Sequence, residues 1–319
     1  MRVIGPEEIR RALPMGAAIS AMRAAFAAHA EGRAEQPPRT VLHTGTSGGA
    51  TLVMPAALDA GAAQLLVVKV VSVFPENRRK GMASIHGTVI AVEADSGVPL
   101  AVLDGAALTA IRTAAACGLA TDLLARRDSA VLAIFGSGVH ARTQVEAVRA
   151  VRAVEEVRIY NPNAESAARM ADELAARAGT ACRFRSAVCP ADALDGADIA
   201  CAATTSQVPV FEDSAVPAGL HINAIGSFHP ADREIPAATV ARAGVVVDDR
   251  AAALEEAGDL ILARREGLIP AGHVRAELGG LLLGRERGRL SANEVTIFKS
   301  VGLAVQDAAA AQAVLRALR

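Results

Sequence analysis

The chain has 319 residues, a formal net charge of −1 at pH 7, no tryptophan and one tyrosine. That length accommodates two domains with an ample core, which must be built from Ala, Val, Leu and Ile because aromatic residues are scarce. Acidic and basic residues are interspersed, which gives no electrostatic case for nucleic acid or an anionic membrane as partner.

The opening MRVIGPEEIRRALP carries charges where a signal peptide needs an apolar core, and no apolar run reaches the length of a membrane span. The longest candidate, Leu65 to Phe74, is interrupted by Lys69. Cys117, Cys182, Cys189 and Cys201 form no C-x-x-C pair and read as reduced thiols of a cytoplasmic protein. The seven histidines show no metal-ligand spacing, so no metal is expected.

Residues 6–32 predict two short helices: PEEIRRAL has acidic residues in its first turn, and Ile19, Met22, Ala25 and Phe26 share one face of the next. After Pro37-Pro38 the chain turns strand-like over Arg39–His43, Thr51–Met54, Leu65–Phe74, His86–Glu93 and Leu100–Leu103. The Gly45–Gly49 cluster and the Ser96-Gly97 turn suit antiparallel hairpins, so the first hundred or so residues predict an α+β unit with its own sheet. A long Ala-rich helix, GAALTAIRTAAACGLATDLLAR, then leads to the centre of the chain.

There Val131–Phe135 is a short unbroken apolar run, the pattern of a strand buried on both faces. It stops at Gly136-Ser137-Gly138-Val139-His140-Ala141, a G-x-G-x-x-A turn that opens a helix. Gly136 allows the tight turn, Gly138 lets a pyrophosphate approach the backbone, and small Ala141 lets the helix pack close. The amide groups at that helix N-terminus favour an anion. Beyond it strands at Val157–Tyr160, Cys182–Phe184, Ile199–Ala203, Ile222–Ile225 and Val245–Val247 alternate with helical stretches, including Ala164–Ala178. This predicts a Rossmann-type, doubly wound parallel sheet. Asn293–Leu318 reads as a return to helix.

Several side chains invite a chemical reading. Lys69 lies in LLVVKVVSVF, where a cation meets a large desolvation cost unless it points into a polar site or finds an anion; the alternative is an edge lysine reaching solvent. Arg112, the one charge between Asp104 and Asp122, suits a carboxylate or phosphate clamp, or else a helix ion pair. Arg39 is open to either reading. Asn161, at the end of the second strand of the nucleotide unit, replaces the acidic residue that usually holds the adenosine ribose of NAD. It removes a charge that would repel a 2′-phosphate and leans the cofactor towards NADPH. Glu155 and Glu156 precede that strand and so stand at its wrong end. Among the histidines, His86 and His229 are the ones to keep as candidates.

Taken together, VMPA (53–56), KVVSVFPEN (69–77), LDGAALTAIRTAA (103–115), IFGSGVHARTQ (134–144), ADIACAATTS (197–206), INAIGS (222–227), VDDR (247–250), AGDL (257–260) and IFKSVGLAVQD (297–307) resemble the ornithine cyclodeaminase and mu-crystallin family over nearly the whole chain. The resemblance implies a discontinuous α+β substrate and dimerisation domain (1–112 with 300–319) around a Rossmann domain (113–299), in a homodimer. It implies that Arg39, Lys69 and Arg112 hold the substrate carboxylate. Thr113, the turn residues Gly136, Gly138, Val139, His140 and Ala141, and Asn161, Thr204 and Ser300 would line NAD(P)H beside Arg112, with Ser84 and His86 near the nicotinamide.

The activity so implied is hydride transfer between a nicotinamide and the α-carbon of an amino acid or its imine, with Lys69, Arg112 and His229 as catalytic candidates. Cyclodeaminases of the family carry a carboxylate where this chain has Phe228 and a lysine where it has Asp232. Ring-closing deamination needs proton transfers at two nitrogens, whereas imine reduction needs orientation and a hydride. A reductase of ketimine acids such as pyrroline-2-carboxylate, or the reverse amino-acid dehydrogenase, is therefore expected ahead of ornithine cyclodeaminase. Small-ligand binding of the mu-crystallin kind is the alternative from another class.

Overall fold

A computed structural model describes residues 1–44, 49–59, 64–178 and 182–319. The chain divides into two compact units, Met1–Ala115 with Gly302–Arg319, and Ala116–Val301.

The first unit opens with β1 (Arg2–Ile4), α1 (Pro6–Ala12) and α2 (Met15–Ala30), followed by β2 (Ala34–Glu35), β3 (Thr40–Thr44), β4 (Gly49–Asp59), β5 (Gln64–Val73), β6 (Ile85–Glu93) and β7 (Pro99–Asp104). Pro6 starts α1 where its missing N–H costs nothing, and Glu7 and Glu8 favour the same helix end. The strands form one sheet in the order β1-β7-β6-β5-β4-β2, with β3 also on β4. Every pairing is antiparallel except that of β1 with β7. The expected turn at 45–48 lies outside the described residues; Thr44 and Gly49 on either side of it pair antiparallel. Strand β4 runs five residues past the expected Met54, through Pro55. The proline is tolerated because β3 begins opposite Val53 and β2 ends opposite Ala57, so it sits where the outer neighbour changes.

Strand β5 shows how an apolar run divides. Leu65, Val67, Lys69 and Val71 are buried, while Leu66, Val68, Val70 and Ser72 face the other way and remain partly or fully open. The last helix of the chain (Ala304–Ala317) packs on α2, β4 and β5 and covers the buried face. Phe26, Met22, Leu58 and Val67 are buried in this unit.

The chain leaves the first unit within helix α3 (Gly105–Leu124). By length and composition α3 is apolar enough to cross a bilayer, contrary to the reading of the sequence, because alanines raise its hydropathy without a long run of large residues. It is largely buried inside the protein. Its start explains the Asp104-Gly105 pair: a Cβ on Gly105 would lie 2.6 Å from the amide nitrogen of Thr88 on β6. Asp104 meanwhile accepts the Ala107 N–H at 2.7 Å.

The second unit continues with β8 (Val131–Phe135), α4 (Val139–Arg149), β9 (Glu156–Tyr160), α5 (Ala164–Ala178), β10 (Arg183–Ser186), α6 (Pro190–Leu194) and β11 (Ile199–Ala202). Then follow β12 (His221–Ala224), α7 (Ala237–Arg242), β13 (Gly244–Val247), α8 (Arg250–Glu256), α9 (Gly258–Arg265), β14 (Ala276–Glu277), α10 (Leu278–Leu282) and β15 (Thr296–Lys299). All eight strands pair in parallel, in the order β10-β9-β8-β11-β12-β15-β13-β14. Leu132 and Ile134 join one apolar cluster with residues of α4 and α5, while Ala133 and Phe135 join another with residues of α6 to α9. Helices therefore cover both faces, the doubly wound arrangement expected from the alternating pattern.

One expectation fails here. Thr296–Lys299, read as helix, is a strand inserted between β12 and β13, with all four residues buried. The β-branched and aromatic residues of Thr296-Ile297-Phe298 suit a pleated site. Gly302, with φ of +82°, separates it from the helix that begins at Ala304.

Two glycines of the first unit test the packing argument. Gly105→Ala should destabilise the protein by about 1–3 kcal/mol through overpacking. Gly16 lies in α2, where an added Cβ would meet nothing within 4 Å. Gly16→Ala should therefore be neutral or stabilising by up to about 1 kcal/mol. Urea unfolding of both variants checks this; equal midpoints would refute it.

Candidate active site

Lys69 is 1% exposed and sits in β5 between Met54 of β4 and Val89 of β6. Its ammonium lies 2.6 Å from Oδ2 of Asp307, in the first turn of the last helix. The other oxygen, Oδ1, accepts Nε–H of Arg112 at 3.1 Å, and Arg112 Nη1 donates to Oε1 of Gln306 at 2.6 Å. The same Gln306 oxygen accepts the Leu303 N–H at 3.0 Å, fixing the helix start. Arg39, half-buried, donates to the Gly302 carbonyl, and a Cβ on Gly302 would lie 2.7 Å from Arg112 Nη1. Three cations thus gather around residues 302–307.

Burial pushes the Lys69 ammonium down from 10.5 to about 8; Arg112 and Arg39 push the same way while Asp307 pulls it back up. Lys69 is therefore still charged at neutral pH. Its surplus N–H groups and the Nη2 edge of Arg112 are suited to an anion with two oxygens. Thr113, next to Arg112 in α3, is 9% exposed.

His86 lies elsewhere. It stands opposite Ser72, on the open face of the sheet, where Ser72 Oγ is 2.9 Å from Thr51 Oγ1, whereas Lys69 faces the last helix. Ser84 precedes β6 and accepts the Phe74 N–H through its carbonyl at 2.8 Å.

In the second unit the other candidates stand at the carboxyl ends of the parallel strands, where such sheets bind ligands. Gly136 follows β8 with φ of +108°, and a Cβ there would come 2.6 Å from the Ala203 carbonyl oxygen. Its N–H bonds the Tyr160 carbonyl at 2.9 Å. Gly138 caps α4 with no side chain claiming the helix amides, and a Cβ on it would meet nothing within 4 Å. Val139 is 63% exposed and Ala141 is fully buried against the core. His140 is half-buried in the first turn of α4.

Asn161 follows β9; its Nδ2 donates to Ser137 Oγ at 2.9 Å and its Oδ1 accepts the Asn163 N–H at 2.8 Å. Glu156 stands at the opposite end of that strand, paired with Arg158 and Arg185. Thr204, after β11, bonds Glu234 Oε1 through both its N–H and its hydroxyl at 2.7 Å each. Ser300, after β15, donates to Asp248 Oδ2 at 2.8 Å. His229 is exposed on a turn, with Nδ1 3.5 Å from the Ala231 N–H, and Phe228 beside it is 40% exposed.

The residues fit a dinucleotide: a turn that only glycine can make, a glycine surface without steric obstruction, and an uncapped helix start beside it. Reading the sequence missed Asp307, Gln306 and Glu234. Asp307 was within reach: it lies in the IFKSVGLAVQD segment, the only carboxylate of the last helix, and a buried Lys69 demands an anion.

The sequence profile of the ornithine cyclodeaminase/mu-crystallin family matches residues 3–319. A Delta(1)-pyrroline-2-carboxylate reductase of Bacillus cereus is 40% identical over 309 residues, covering 96% of this chain and 93% of the relative. The solved Thermococcus litoralis Delta(1)-pyrroline-2-carboxylate reductase, in complex with NADH and L-proline, superposes with a TM-score of 0.95 at 36% identity, over 99% of this chain and 97% of its own. An archaeal alanine dehydrogenase dimer with bound NAD superposes with a TM-score of 0.92 at 32% identity, over 99% and 95% of the two chains. From its full-length profile match and these relatives, the chain belongs to the ornithine cyclodeaminase/mu-crystallin family.

Proposed function

We propose that this protein is an NAD(P)H-dependent reductase of cyclic ketimine acids of the pyrroline-2-carboxylate type, able to run the same transfer in reverse on the matching amino acid. The observation that carries the proposal is the gathering of buried Lys69 and Arg112 with half-buried Arg39 around residues 302–307. It occurs in a chain whose relatives include pyrroline-2-carboxylate reductases. In this reading the first unit holds the substrate and the second the dinucleotide.

The three cations bind the carboxylate of the ketimine and so fix the position of the carbon beside it. Asp307 holds Lys69 and Arg112 apart and oriented. The bound nicotinamide supplies the hydride. The turn at 136–141 and the N-terminus of α4 hold the pyrophosphate. Asn161, with no charge to repel a 2′-phosphate, keeps both NADH and NADPH admissible, with the lean towards NADPH resting on it alone. Phe228 stands where a cyclodeaminase needs a carboxylate, and its ring can neither take a proton nor orient an ammonium, which supports reduction over ring-closing deamination. His229 beside it is the candidate for passing a proton to the imine nitrogen.

A homodimer is part of the proposal. The open face of the sheet presents Val53, Leu66, Val68, Val70 and Ile90, an apolar surface that a second copy would cover. Sedimentation at micromolar concentration should show a dimer, and Val70→Asp should shift it to monomer; a wild-type monomer would refute this part.

The deciding assay follows oxidation of NADH and NADPH with pyrroline-2-carboxylate, piperideine-2-carboxylate, and pyruvate plus amines, alongside ammonia release from ornithine. Turnover of a cyclic ketimine without ammonia release is expected. Stoichiometric proline and ammonia from ornithine, with no net reduction, would replace the reading by cyclodeamination.

The clamp makes a pH prediction. Because Lys69 loses its proton above about pH 8, the affinity for pyrrole-2-carboxylate, ionised throughout, should be flat below that value. Above it the affinity should fall by up to about tenfold per pH unit. Lys69→Arg should remove the fall, and Lys69→Ala or Arg112→Ala should each cost about 2–5 kcal/mol of binding. A flat calorimetric titration to pH 10 in the wild type would sink the assignment.

A further inference from the structure

The carboxyl edge of the parallel sheet contains a closed polar circuit whose central carboxylate has no part assigned so far in holding substrate or cofactor. Glu234, in the segment after β12, is fully buried. One carboxylate oxygen, Oε1, accepts both the N–H and the hydroxyl of Thr204; the other, Oε2, accepts the N–H of Gly226 at 2.6 Å and of Ser227 at 3.2 Å. Its own N–H, with that of Ile235, donates to Asp259 Oδ1 at 2.8 and 2.9 Å. Asp259 Oδ2 is 2.7 Å from the ammonium of Lys299, at the end of β15, and that ammonium donates to the Ser227 carbonyl. The circuit therefore returns to Glu234.

A Cβ on Gly226 would strike both the Thr204 carbonyl and the Glu234 carboxylate, so the glycine is demanded by the circuit itself. Burial pushes the Glu234 carboxyl up, while Lys299 and the Thr204 bonds pull it back.

The position of the circuit gives it a role. In the sheet order, β9 and the ribose position at Asn161 lie on one side of β8, while β11, β12 and β15 lie on the other. A dinucleotide whose pyrophosphate crosses the turn after β8, with its adenosine towards β9, lays its nicotinamide half along the ends of β11 and β12. We propose that Glu234 is the positioning residue for that half: one buried carboxylate ties the segment after β11 to the segment after β12 and holds both as a preformed ledge for the nicotinamide nucleotide. It acts through Thr204, Gly226 and Ser227 rather than by touching the reacting atoms. The inference rests on dinucleotide binding but not on which ketimine is reduced.

The test compares two ligands by calorimetry on the full chain: NADH, which spans both halves, and ADP-ribose, which lacks the nicotinamide. Glu234→Gln keeps the shape but replaces one acceptor oxygen by a donor. It should weaken NADH about tenfold or more while leaving ADP-ribose within about twofold. Thr204→Val, at a half-buried position, deletes the hydroxyl bond to Glu234 together with the one that Thr204 accepts from the Ser206 N–H; it should give a smaller loss confined to NADH, and it keeps the test decisive if the glutamine variant fails to fold. Wild-type NADH affinity in either folded variant, or an equal loss of both ligands, would overturn the proposal. Failure of the wild type to bind either NADH or ADP-ribose would instead overturn the cofactor reading beneath it.

Discussion

A lysine shut away from water must have an anion, and here the anion comes from the far end of the chain. Lys69 and Asp307 are both almost wholly buried and 2.6 Å apart. Neither charge is tolerable in that place alone: removing one partner of a buried pair typically costs about 3–5 kcal/mol. The pair therefore requires the last helix to lie against β5, and it explains why the first unit is built from two separated stretches of sequence. Arg112, reaching the second oxygen of the same carboxylate, ties the start of α3 into the same arrangement. One carboxylate thus sets both the architecture of the unit and the spacing of two cations.

Alanine is the second constraint. With few aromatic residues, close packing is obtained by bringing backbones together. Gly105 against β6 and Ala141 in the first turn after Gly138 are instances. Helices beginning so close to the sheet leave their amide groups beside the strand ends, which is where the ligand-binding chemistry collects. Packing and function are therefore answers to the same small-residue requirement.

What the sequence made legible follows from interaction range. The turn at 136–141 was readable because strand, glycines and helix are contiguous and each glycine has a local steric reason. The three cations stood out singly, because a charge in an apolar segment is conspicuous. Their partners did not: Arg112 and Asp307 are 195 positions apart, and no local pattern encodes that pairing. His86, expected near the nicotinamide, stands on the face of the sheet opposite Lys69, a separation set by the alternation of the strand rather than by any local motif. Four-residue β15 escaped because its neighbours carry helical periodicity, and β4 was cut short at a proline that the sheet accommodates at a change of neighbours. Glu234 looks like one acid among many, since its importance comes from four donors, two in its own segment and two brought by the segment after β11.

The discontinuity of the first unit bears on the order of synthesis. Residues Met1–Ala115 leave the ribosome before Ala116–Val301, yet the segment that neutralises Lys69 belongs to Gly302–Arg319 and is made after the whole of Ala116–Val301. The unit encoded in the middle has all of its elements available before the first unit receives its last helix, so vectorial folding lets it complete earlier. The unit made earliest waits with a charged strand uncovered and an apolar face exposed, and it is this nascent species that a chaperone would meet.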